Sequence, residues 1–142
     1  MDQVLITFGW VWFALGIVSG AVLGLGFHRA DFMGGYGSWR RRLARLGHIS
    51  FFGTGMLAMM MGITSIVFKD AMPAAMDLPG VFLGVGVLTL SGGVTMPVVC
   101  FLAAWRKPLR HLFFIPVLGL GGGVLGFAGS LVWGLFMKGG VS

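Results

Sequence analysis

Four long apolar runs, Val4–Phe27, Leu46–Phe68, Val81–Trp105 and Leu112–Met137, alternate with short polar stretches along the chain. Each exceeds the roughly 20 helical residues that cross a ~30 Å hydrocarbon core. Inside that core the backbone must satisfy its own polar groups, so helices are the expected elements. The pattern predicts an all-α polytopic membrane protein, a four-transmembrane-helix bundle with helices at about 4–27, 39–68, 81–105 and 109–137. Residues 1–142 then form a single integral membrane domain.

The polar positions orient the runs. Eight of the ten Lys and Arg residues fall in two turns: Arg29, Arg40, Arg41, Arg42 and Arg45 in the first, Arg106, Lys107 and Arg110 in the second. Such an alternation follows the positive-inside rule. It places both basic turns in the cytoplasm and both termini outside, in a bacterial inner membrane. Asp2 is the only charge before the first run, which lacks a basic n-region and outruns a signal h-region, so a retained span is expected. The net charge of +6 belongs to membrane-flanking turns and calls for lipid headgroups or partner subunits, not nucleic acid.

Local signals refine the ends. Ser38 is a candidate N-cap for a helix starting at Trp39, after the loop Gly34-Gly35-Tyr36-Gly37. Pro108 suits the first position of the fourth helix. Pro97 frees the carbonyl of Gly93, and Pro116 that of Leu112. The turns also share an order: Trp39, basic cluster, His48, Phe51-Phe52, and Trp105, basic cluster, His111, Phe113-Phe114. Two hairpins related by duplication would give that order, and so would the ordinary gathering of Trp and Arg at a membrane boundary.

Composition adds glycine, 26 residues, mostly within the apolar runs. Gly16-x3-Gly20-x3-Gly24, Ala58-x3-Gly62 and Gly122-x3-Gly126-x3-Ser130-x3-Gly134 are rows that let helix backbones approach closely. They can equally leave room for a flat ligand.

Candidate chemistry rests on three histidines. His28 ends the first run, His48 opens the second and His111 opens the fourth. On helical spacing Gly55, Met59 and Gly62 project within about 40° of His48. Leu118, Gly122 and Gly129 project within about 20° of His111, and Ala21 and Gly24 within about 40° of His28. Imidazoles above small residues on neighbouring helices suit a b-type haem or another tetrapyrrole, with His48 and His111 as axial ligands and His28 as a third candidate. The plainer reading makes all three polar anchors at the headgroup layer.

Other chemistries are poorly served. The chain has no Glu, no Asn and no Asp within the runs, which argues against a proton-coupled transporter. Met56, Met59, Met60 and Met61, with Met72 and Met76 beyond, offer thioethers for copper, but Met is also a flexible apolar filler. No metal site, phosphate loop or hydrolase constellation is legible, so no catalytic residue is expected.

In composition the chain resembles the small hydrophobic subunits of multi-subunit membrane complexes. The expected function is a non-catalytic integral membrane subunit that stabilises a larger assembly, foremost one of electron transfer or photosynthesis. Its partners would be lipids, through Arg40, Arg41, Arg42, Arg45, Arg106, Lys107 and Arg110, and other membrane subunits. The alternatives are a haem- or quinone-binding membrane anchor and a small transporter or channel.

Overall fold

The computed structural model describes residues 1–69 and 80–139. They form four α-helices: α1 (Asp2–Phe27), α2 (Trp39–Lys69), α3 (Val81–Trp105) and α4 (Phe114–Gly139). Short 3-10 segments, Phe32–Gly34 and Lys107–Phe113, fill the two basic turns. The four helical spans are each long and apolar enough to cross a membrane, as expected of a membrane protein. The connection that carries Met72 and Met76 lies outside the described residues.

The helices pack in chain order. α1 lies on α2, α2 on α3 and α3 on α4, while α1 reaches α3 at only a few points. This makes α2 and α3 the inner pair, with buried residues from Arg41 to Ser65 and from Val85 to Ala104, and leaves α1 and α4 with broad outward faces. Lipid gives no hydrophobic drive between helices, so close backbone approach must supply the contact. It does so at two glycine crossings. A Cβ on Gly9 would lie 2.7 Å from the carbonyl oxygen of Gly55, so α1 and α2 meet backbone to backbone. A Cβ on Gly119 would lie 3.0 Å from the Cα of Gly92, where α4 meets α3.

The expected small-residue rows are only partly used in that way. Gly16 and Gly20 make room for side chains, the Phe52 ring and the His48 imidazole, and Gly24 has nothing within 4 Å. On α4 the buried residues are Pro116, Gly119, Gly123, Phe127 and Gly134; of the expected row, Gly134 is buried and Gly126 lies against Val85, while Gly122 is exposed beside Leu88.

Helix ends follow local chemistry. Ser38 caps α2 as expected: its Oγ accepts the Arg41 N–H at 3.2 Å and donates to the Met33 carbonyl at 2.7 Å. The preceding loop turns through left-handed backbone at Met33 (φ 57°), Gly34 and Gly35 (both φ 88°). Glycine tolerates that region freely, whereas Met33 is strained there. The fourth α-helix, however, begins at Phe114 and not at Pro108. Pro108 is instead the second residue of the 3-10 segment, after Arg106 turns extended at φ −129°, ψ 101°. Pro116 explains the delay. Its ring would clash with the carbonyl of Leu112 in a continuous α-helix, so α4 starts where Pro116 falls in the first turn. The two prolines thus differ in role, because Pro97 is buried inside an unbroken α3.

Candidate functional site

Pro97 has no N–H, so the carbonyl of Gly93 loses its helical partner. Inside a bilayer an unpaired carbonyl is unfavourable, by several kcal/mol in order of magnitude. The indole of Trp12, from α1, takes the missing donor's place: its Nε1–H donates to the Gly93 oxygen at 3.1 Å. Phe8 stacks on Trp12 at 4.0 Å between ring centroids and lies against Gly93. A second indole does the same at the end of α3, where Trp39 Nε1–H donates to the Ala103 oxygen at 2.9 Å. Two tryptophans on other helices therefore supply donors to carbonyls of α3.

The basic turns converge at one end of the molecule. Arg40 lies over the Trp105 ring at 5.6 Å, so the first turn touches the second. Between them is a cavity of about 320 Å³ whose walls include Ser38, Trp39, Arg40, Trp105 and Lys107. Arg41 points elsewhere. It is 7 % exposed, stacks over Phe27 at 4.4 Å and Tyr36 at 5.4 Å, and leaves its Nε without a partner among the described residues. Arg45 shares Tyr36 at 4.6 Å. Arg42, Arg106 and Arg110 are exposed. Among long cations at a membrane edge, ring contact and snorkelling stems replace ion pairing. Trp39 opens α2 while Trp105 closes α3, so these tryptophans occupy opposite arms of their turns rather than equivalent positions.

All three histidines lie at this same end, on separate faces. His48 is half-buried against α1, its Nδ1 3.0 Å from the Ser19 Oγ, with Phe52 edge-on at 5.4 Å. Ser19 commits its single hydroxyl hydrogen to the Gly16 carbonyl at 2.9 Å. Its oxygen is then left as an acceptor toward Nδ1, and Nε2 is the other ring nitrogen of His48. That nitrogen lies against Gly20, where a Cβ would be 3.2 Å away. His28 is an exposed C-cap of α1, and His111 is exposed in the 3-10 segment.

His48 and His111 are therefore not brought together as an axial pair within one chain. His48 faces α1, and α4 packs on α3. The stripes below the histidines divide likewise: Gly55 and Gly62 face α1, but Leu118 and Gly129 face outward, as do Ala21 and Gly24. The 3-10 segment is the cause for His111, since its three residues per turn break the α-helical phase carried forward from Leu112. The methionine cluster also spreads around its helix: Met61 is buried, its sulfur 3.7 Å from the Thr89 Oγ, whose hydrogen goes to the Val85 carbonyl at 2.9 Å, whereas Met56 and Met60 face outward.

A groove of about 530 Å³ runs along the outer surface between α1 and α3, lined by Val4 and Phe8 on one side and Val87, Ser91, Val94 and Thr95 on the other. It is almost wholly apolar, because the hydroxyls of Ser91 and Thr95 are turned onto their own helix, to the Leu88 and Ser91 carbonyls. Against known proteins, no family model, no curated protein and no solved structure matches this chain.

Proposed function

We propose that the chain is a non-catalytic subunit of a larger membrane assembly, and that its work is to pack against partner helices. The α1–α3 groove carries this reading. Its floor combines small and β-branched side chains with hydroxyls already satisfied, which lets a foreign helix approach closely without stranding a polar group. Gly84, one heptad before Ser91, adds an open position where a Cβ would meet nothing within 4 Å. Gly53, Gly121 and Gly129 are likewise open, so several glycines lower helix propensity without serving contacts in this chain. The basic end would lie in the cytoplasm by the positive-inside rule. An electron-transfer or photosynthetic complex is the first class of assembly to test.

The test is a photo-crosslinking residue placed at Val4 or Ser91, followed by mild-detergent extraction from the native host and mass spectrometry. A crosslink to one defined membrane protein is the expected result. Crosslinks to lipid alone, with a monodisperse 15.1 kDa species, would refute the subunit role.

A further inference from the structure

We propose that the cavity between the two basic turns is a binding site for the phosphate headgroup of an anionic phospholipid. Two cations from different turns, Arg40 and Lys107, share this cavity of about 320 Å³, and neither inner turn carries a carboxylate other than Asp31. Arg40 is held over Trp105 by ring contact, which leaves its guanidinium hydrogens free for an acceptor. Ser38 Oγ serves the Arg41 N–H, while the N–H groups of Trp39 and Arg40 in the first turn of α2 have no partner among the described residues. The first residues of a 31-residue helix and two side-chain cations thus line one volume.

The surroundings select lipid over a soluble anion. Trp39 and Trp105 form two walls, and indoles of this kind sit at headgroup depth. Ala104 and Met33 add apolar surface, which suits the glycerol beyond a phosphate. The volume lies at the small end of the roughly 300–1,000 Å³ typical of ligand sites, room for a phosphoglycerol but cramped for a nucleotide. Met33 also holds a left-handed backbone in the cavity wall, at φ 57°, a kind of strain that gathers at binding sites. Basic pockets between membrane helices are general sites for acidic headgroups.

Native mass spectrometry of the full-length protein, titrated with phosphatidylglycerol or phosphatidylcholine, tests the assignment. Wild type should retain phosphatidylglycerol about tenfold more strongly, and Arg40→Gln/Lys107→Gln should lose most of that preference. Arg42→Gln/Arg110→Gln removes the same charge outside the cavity and should stay within about twofold of wild type. Equal losses in both doubles would mean diffuse attraction and overturn the site, as would no loss in the first. Should the first double fail to fold, Lys107→Gln alone is compared with Arg110→Gln, and equal behaviour overturns the site. Inorganic phosphate is added in a separate arm. Displacement of the lipid at millimolar phosphate would reassign the cavity to a soluble anion and sink the lipid proposal.

Discussion

The Gly93 carbonyl shows how one residue's missing proton sets the position of another. Pro97 opens that carbonyl by elementary geometry, a consequence readable in the sequence before any fold is known. The donor was not readable, because Trp12 lies 81 residues earlier and only packing brings the indole across. Removing the indole N–H with Trp12→Phe should destabilise the protein by about 1–3 kcal/mol, as stranding a buried acceptor does. Pro97→Ala returns an N–H to the helix, so the same Trp12→Phe change should then be milder. A double-mutant cycle by equilibrium denaturation in mixed micelles measures the difference, expected at about 1 kcal/mol. Additive effects would show that the indole acts by bulk alone. His48 teaches a related lesson: its membrane depth follows from the sequence, but its commitment to Ser19 depends on the rotation of α1 against α2.

Among the elements, boundaries set by backbone chemistry were legible and faces set by packing were less so. Ser38 caps α2 at the expected residue, and the four apolar spans stand where the hydropathy placed them. The start of α4 moved from Pro108 to Phe114 because the later proline, Pro116, decides where an α-helix can begin. Within α4 the closest approaches to α3 fall at Gly119 and Gly123, while a Cβ on Gly121 or Gly129 would meet nothing within 4 Å. The distinction has a measurable consequence. Gly119→Leu should weaken the α3–α4 crossing by at least about 1–3 kcal/mol through overpacking. Gly121→Leu, where a Cβ meets nothing within 4 Å, should change stability by about 0.5 kcal/mol or less. Denaturation of the two variants in the same detergent decides it, and equal effects would misplace the interface.

Across the whole molecule, the order of packing leaves an open groove between the first and third helices. Filling its floor with Ser91→Leu should leave the isolated protein as stable as wild type while reducing recovery of any partner about tenfold or more. Quantitative pull-down beside a denaturation curve separates those outcomes, and an unchanged partner yield would remove the groove from the assembly. Membrane residence and the clustering of cationic turns were both plain from the alternation of apolar and basic stretches. The union of those turns into one cavity was not, since Arg40 and Lys107 are brought together only by the α2–α3 packing.

The two tryptophan donors also divide the chain unequally. Residues 1–69 hold both indoles, while residues 80–139 hold both carbonyls they satisfy. The later hairpin therefore enters the bilayer as a debtor to the earlier one, and ribosomal order delivers the donors first. Expressed as separate fragments, the second half should be cleared by membrane proteases unless the first is made in the same cell, whereas the first half should persist unaided.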